Sequence, residues 1–394
     1  MPSHGDKQES DVLRIAIGHS ADIDQDRAVS EAIEQAKRKL GGAEAKAGIL
    51  FSASALDHPA VLAEVGRAFP DTPIVGCTTA GEASPALGFQ DDSVLLLLFS
   101  STDIRFAAAL IRTPSKDPKN AAAAAEDLRR QLGGESPRLC FLFGSSMQGD
   151  PERVISALAE GFGKEVPIIG GAAACYPPGE QHPYLFFGRE TYEDAAVALA
   201  LSGPLELTTA IETSWHPIGK TGEITSTDGH RVHCIDDAPA LDFYRSTLGA
   251  DAYLFLGAPM AVLDADGGMK VRSPISFDDE QRSIDVAGGV AEGDRVQLAF
   301  ATVDDVHRGA NALIERTLES FPQGAAPALV FFCSCAVRKM FLALDVSTEF
   351  EQLQGKVGQS VPVVGFYAYG EIGPLERGGA SKFHNQSIVS VALR

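Results

Sequence analysis

Cys335 and Arg338 stand three residues apart, just past the apolar run that ends at Phe332, and Tyr367, Tyr369 and Glu371 stand just past another. A thiol at a helix start with a guanidinium one turn on is an environment that lowers a cysteine's pKa and makes the thiolate nucleophilic. The same guanidinium can hold a carboxylate or phosphate in two-pronged fashion, with an internal salt bridge to Glu371 as the alternative. No histidine is near in sequence to serve as base. One reading is therefore a cysteine-dependent enzyme using Cys335 and Arg338, and another is ligand binding by the same residues. His384 in KFHNQS and His216 in WHPIG each precede or open a further apolar stretch. Each is expected to be surface or hydrogen-bonded, although imidazole is also a common haem axial ligand.

Other motifs fail on context. SWHPIGKT (214–221) comes within one residue of a phosphate loop, with Ser214 in place of the first glycine, but GEITSTDGHRVHCI follows with strand-like alternation. Without a helix N-terminus the phosphates lose their main anion site. Asp264 and Asp266 in VLDADGGMKV resemble the start of a calcium loop, yet the later oxygen ligands are missing and a hairpin turn is the better reading. There is no G-x-S-x-G, no H-E-x-x-H and no G-x-G-x-x-G after a strand.

The elements that carry these residues repeat. One unit, strand–helix–strand–helix–strand closed by a last strand, occurs three times, and the turn glycines Gly76, Gly170 and Gly365 recur at similar distances past Phe51, Phe143 and Phe332. The first copy runs from LRIAIG (13–18) through GILFSAS and PIVGCTTAGE (73–82) to SVLLLLFS. The second runs from DIRFAAAL (103–110) through LCFLFGSS and PIIGGAAACY (167–176) to DAAVALAL. The third runs from VQLAFAT (296–302) through LVFFCSCAVRK and PVVGFYAYGE (362–371) to SIVSVAL (387–393). Apolar strands without alternation, joined by helices, predict an α/β protein with largely parallel or mixed sheets covered on both faces. The closing strands and LELTTAIET (205–213) add antiparallel pairs. Residues 215–295 read as an insert of hairpins with one helix, Ala238 to Leu248.

In such sheets ligands collect beyond the carboxyl ends of the strands. The loops there carry Gly76, Gly81, Gly170 and Gly171, which let backbone approach a ligand closely. Glu82 occupies in the first copy the place of Glu371 in the third, which points to a shared structural role for Glu82.

Composition narrows the partners. Of 394 residues, 33 are Lys or Arg and 53 are Asp or Glu, a formal charge of −20 that repels nucleic acid and anionic membranes. The longest apolar runs, such as Ser93 to Phe99, are far too short to span a bilayer. Six cysteines without framework spacing read as reduced thiols, so the expected place is the cytoplasm. The polar start, residues 1–11, reads as a flexible leader.

SWHPIGKTGEITSTDGHRVHCIDDAPALDFYRSTLG, the SCAVR of Ser334 to Arg338, GFYAYGEIGP and FHNQS together resemble the FIST family, with VGCTTAGE and IGGAAACY similar to the glycine turns of its N-terminal module. The resemblance implies two modules, 12–219 and 220–394, that bind a small molecule, an amino acid or other carboxylate, and regulate a separate signalling protein such as a histidine kinase. It places family motif positions at Cys335, Arg338, Tyr369, Gly370, Glu371, His384 and Asn385, and with Tyr367, which stands just past the same strand as Tyr369, these are the expected ligand-binding residues. GGAAACY departs from it, with Ala174 and Cys175 where many members carry an aspartate. One branch resembles haem-based nitric oxide sensors, and membership there would imply noncovalent haem b with His384, His216 or Cys175 as axial ligand. No C-x-x-C-H is present for covalent attachment.

Overall fold

A computed structural model describes residues 13–112, 119–145, 151–178, 182–249, 257–263 and 268–394. The expected leader, and the Asp264 and Asp266 turn, lie outside the described residues.

The first copy is β1 (Arg14–Ser20), α1 (Gln25–Leu40), β2 (Ala47–Ala53), α2 (His58–Ala68), β3 (Ile74–Thr79), a hairpin of β4 (Glu82–Ser84) and β5 (Gly88–Gln90), and β6 (Val94–Ser100). The side chain of Asp24 caps α1 by accepting from the Arg27 amide, and Gly41 ends the helix in the left-handed conformation, φ 59°. Between these stops Ala28, Val29, Ala32, Ile33 and Ala36 form the buried stripe.

The second copy is β7 (Arg105–Arg112), α3 (Lys119–Gln131), β8 (Leu139–Gly144), α4 (Pro151–Phe162), β9 (Ile168–Ala172), the hairpin β10 (Leu185–Phe187) and β11 (Glu190–Tyr192), and β12 (Ala195–Ser202). Next comes β13 (Leu207–Thr213). The insert follows, with β14 (His216–Thr227), β15 (Arg231–Ile235), β16 (Ala238–Pro239), α5 (Ala240–Leu248), β17 (Met260–Leu263), β18 (Met269–Arg272), β19 (Pro274–Asp278), β20 (Ser283–Val286) and β21 (Arg295–Phe300). The chain then resumes the repeat with α6 (Val303–Glu319), β22 (Leu329–Cys335), α7 (Ala336–Leu342), α8 (Val346–Val357), β23 (Val363–Ala368), the hairpin β24 (Glu371–Pro374) and β25 (Ser381–His384), and β26 (Ser387–Leu393).

Each copy builds a mixed sheet with one parallel pair, β2 with β3, β8 with β9 and β22 with β23. The closing strand of each copy lies between the first and second strands and runs antiparallel to both. No helix separates it from the third strand, and only a crossover connection returns a chain in parallel. Central position buries every residue of β6 and β26 and explains their unbroken apolar runs.

The hairpins are exchanged around a ring. β10 and β11 extend the first sheet through β3, β24 and β25 extend the second through β9, and β4 and β5 extend the third through β23. The three sheets therefore share one core, in which Phe51 stacks on Phe366 at 4.3 Å and meets Phe143 edge-on at 5.3 Å. Each such phenyl ring contributes about 1.5–3 kcal/mol by burial.

Two expectations are corrected. The third sheet starts at β13, which pairs along its length with β26, whereas the 296–302 segment falls in β21 of the insert and pairs with β14 and β17. Both segments are short and apolar, and which of them joins the third sheet is decided by the partner strand. The insert, His216 through Phe300, is thus spliced between the first strand and first helix of the third copy, and SWHPIGKT runs into β14 as strand. Secondly, Gly76, Gly170 and Gly171 are strand residues, and only Gly81 stands in a turn. A Cβ on Gly76 would sit 1.8 Å from the Leu50 carbonyl oxygen, and one on Gly170 2.0 Å from that of Leu142, so these glycines serve strand-to-strand approach.

Candidate functional site

The chain must turn sharply between β25 and β26, and it does so at Asn385 and Gln386, the latter at φ 53°. This turn lies against the insert. Between it, β13, α6 and β18 is a cavity of about 180 Å³. Its apolar wall is Ile211, Met269, Val271 and Leu375, and its polar wall includes Glu212, Thr213, Lys270, Arg316 and Asn385.

Two residues of this wall, Asn385 and Thr213, each carry a side-chain atom, Nδ2 and Oγ1, that is buried without a hydrogen-bond partner among the described residues. An unpartnered buried polar atom costs about 1–3 kcal/mol, so such atoms call for a partner the chain itself does not supply. Asn385 is 1% exposed. Its Oδ1 is committed, accepting from the Ser273 amide at 3.4 Å. Because a backbone N–H can only donate, the amide orientation is fixed and Nδ2 is the end left over. Glu212 and Arg316 form an ion pair, and the guanidinium also donates to the Ile211 carbonyl at 2.6 Å. Burial raises the Glu212 pKa and lowers that of Lys270, with Arg272 nearby adding to the latter.

His384 borders the same cavity and is 4% exposed. Its Nε2 donates to the Gly373 carbonyl at 3.0 Å, since a carbonyl only accepts. Burial pushes its pKa down to about 4, assisted by the cations Arg272, Lys382 and Lys270.

The remaining expected positions lie elsewhere. Arg338 is fully buried and its partner is Glu349, at 2.5 Å, in place of the Glu371 expected from sequence. Glu349 also accepts from Ser334 Oγ at 2.8 Å and from Tyr367 Oη at 3.0 Å, so Arg338 and Tyr367 are tied into one internal network. The fold selects Glu349 because from α8 its carboxylate reaches Ser334 of β22 and Tyr367 of β23, whereas Glu371 leaves on the exchanged hairpin toward β9. Tyr369 Oη donates to the Cys175 carbonyl at 2.7 Å. A Cβ on Gly370 would lie 2.1 Å from the Phe383 ring.

The reactive-thiol expectation for Cys335 is overturned. The residue is 2% exposed, and burial together with the Glu371 charge pushes its pKa well up. Glu371 is itself buried and accepts from the Ser387 amide at 3.0 Å and from its hydroxyl at 2.8 Å; burial lifts its pKa to about 8. Glu82 occupies the matching hairpin position in the third sheet, accepts from Thr79 Oγ1 at 2.5 Å and from Ser93 Oγ, and is also lifted to about 8.

The three haem ligand candidates stand in different surroundings. The Nε2 of His384 is engaged by Gly373, and the adjoining cavity is smaller than the roughly 300–1,000 Å³ clefts that hold drug-sized ligands. Cys175 is buried with its sulfur 3.2 Å from Tyr369 Oη, and the His216 side chain is 70% exposed, 3.7 Å from Asp305. Among the described residues no group of three or more His, Cys, Asp or Glu is placed to hold a metal ion.

Of the positions expected from the sequence, His384 and Asn385 line this cavity; Thr213, Lys270, Glu212 and Arg316 line it too and were not among those expected. The first and third of these stand in LELTTAIET, which reads as a plain strand. Only its pairing with β26 brings it to the turn at Asn385.

Comparison with known proteins agrees with the two-module reading. The FIST N domain model matches residues 46–238 and the FIST C domain model residues 240–374. Uncharacterized protein Rv0628c of Mycobacterium tuberculosis (strain ATCC 25618 / H37Rv) is 23% identical over 389 residues, covering 92% of this chain and 95% of that one. Uncharacterized protein Mb0898c of Mycobacterium bovis (strain ATCC BAA-935 / AF2122/97) is 24% identical over 388 residues with the same coverage. A solved structure, T. maritima PurL complexed with ADP, aligns over 97% of this chain and 71% of its own at 12% identity and a TM-score of 0.21, too low to carry an argument. With both domain models matched in order over most of its length, the chain belongs to the FIST family, whose domains are associated with small-ligand sensing in signalling.

Proposed function

We propose that this protein is a small-ligand sensor whose ligand, an amino acid or another small carboxylate, occupies the cavity beside Asn385, and that it reports occupancy to a separate signalling protein such as a histidine kinase. The reading is carried by one observation: Asn385 and Thr213, which line a cavity of ligand size, each carry a buried side-chain atom, Nδ2 and Oγ1, that has no partner among the described residues. A carboxylate accepts from both, and Lys270 on the same wall adds a positive charge. The apolar wall suits a short aliphatic side chain. The Glu212–Arg316 pair offers an anionic partner for an ammonium group and a cationic one for an acid.

Free thiols at all six cysteines and the charge of −20 support a cytoplasmic protein that avoids nucleic acid and anionic membranes. Among the described residues no helix is long and apolar enough to cross a membrane.

The test is a thermal-shift screen of the twenty amino acids, acetate and other short carboxylates against the full chain. A true ligand at one hundred times its Kd stabilises the fold by about 2.7 kcal/mol. The shift should be lost in Asn385→Ala and weakened in Thr213→Val. A screen in which no carboxylate raises the melting temperature, or a shift that both variants retain, overturns the reading.

A further inference from the structure

The turn that forms the floor of the cavity also clasps the insert to the three-sheet body. Arg272, fully buried at the end of β18, donates to the Phe383 carbonyl at 3.0 Å and reaches Glu152 of α4 at 3.4 Å. The Gln386 amide donates to Ser273 Oγ at 2.8 Å, and Trp215 Nε1 donates to the Gln386 carbonyl at 2.9 Å. The Ser273 amide donates to Asn385 Oδ1 at 3.4 Å, long for such a bond. Residues 383–386 thus take contacts from three residues of the insert and its stem.

The insert has its own core, built on Ile224, Leu241, Phe243, Tyr244, Met260 and Leu298, and through Ala261, Val271 and Ala299 it shares a second core with α6, β22 and β23 of the body. It connects to the body through two short links, Ser214–Trp215 and Ala301–Thr302. A unit with its own core, held to the body by an apolar face, two adjacent links and a clasp, can shift at that face without itself unfolding.

Asn385 is the residue common to cavity and clasp. One end of its amide accepts from Ser273 of the insert, and the other is buried and unpartnered among the described residues, in a side chain that lines the cavity. An acceptor bound at Nδ2 pins the amide plane and polarises it, which strengthens what Oδ1 accepts. We propose that Asn385 couples ligand occupancy to the seating of the insert, so that a bound carboxylate tightens the insert on the body and its departure loosens it. This rests on the reading of the cavity as the ligand site. Seating of the insert would then be what a signalling partner reads.

The experiment is hydrogen–deuterium exchange of the full chain with and without glycine, L-alanine or acetate, alongside thermal shift. Asn385→Asp keeps an acceptor for Ser273 and removes the donor to the cavity. The expected result is exchange in β17 and β18 slowed at least about fivefold by the bound carboxylate in wild type, the low end of ordinary coupling between sites, and unchanged by it in Asn385→Asp. Wild-type exchange suffices should that variant fail to fold. If a carboxylate binds in an Asn385-dependent way but protects only β13 and β26, the coupling is wrong and the ligand site stands. Equal protection in Asn385→Asp also overturns the coupling. If none of the three probes binds by either readout, the reading and the coupling fall together.

Discussion

Replacing Arg338 with methionine should destabilise the fold heavily and leave carboxylate binding alone. Arg338 and Glu349 are both inaccessible to solvent and paired at 2.5 Å. Without the guanidinium, Glu349 retains, among the described residues, the Ser334 hydroxyl and the Tyr367 phenol as donors. An uncompensated buried charge of this kind costs about 3–5 kcal/mol. With a urea slope of roughly 1–3 kcal/mol per M, the midpoint should fall by about 1 M or more. Trp215 is the single tryptophan and reports on the right place, since it is buried 5.5 Å from Phe341 and Arg338 donates to Ser214 Oγ next to it. Its fluorescence through a urea titration is the assay. Adding Glu349→Leu should recover at least about 1 kcal/mol of the loss, although Ser334 and Tyr367 then lack their acceptor at about 1–3 kcal/mol each. A cost for Arg338→Met below about 1 kcal/mol, the range of exposed pairs, would refute the buried network. A wild-type stability with lost ligand response would restore the ligand-contact role that the sequence allowed.

Gly370→Ala should cost about 1–3 kcal/mol by overpacking, read by the same titration, because the new methyl meets the Phe383 ring at 2.1 Å; wild-type stability would contradict the close approach. Glu82 and Glu371, lifted by burial to about 8, remain protonated in the fold where the unfolded chain has ionised. Their contribution is complete below about 4.5 and drains as pH rises toward 8, so stability measured across that range should fall, and Glu371→Gln should flatten the slope. His19 and His384, depressed by burial to about 4, act in the opposite sense: their contribution is present above about 6.5 and lost as pH falls toward 4. Alkylation of the folded protein at neutral pH should label the partly exposed Cys234 well before Cys335, which should react only on unfolding; fast native labelling at Cys335 would contradict its burial.

What the sequence determined alone is the repeated unit, its helices and strands, the presence of an insert and the family. These are local or periodic properties: caps such as Asp24, the buried stripe of α1, and runs such as SVLLLLF that only a strand covered on both faces can carry. The family resemblance also marked FHNQS. The tertiary structure alone decided partners. Arg338 found Glu349 and not Glu371 because the hairpin carrying Glu371 crosses to another sheet. The first strand of the third sheet proved to be β13, far upstream of the helix that follows it in the repeat. Thr213 and Asn385 meet, about 170 residues apart, through the pairing of β13 with β26. Pattern is written along the chain, but a hydrogen bond or a cavity wall depends on which strands lie side by side, and an exchange of hairpins around a ring leaves no mark in local composition.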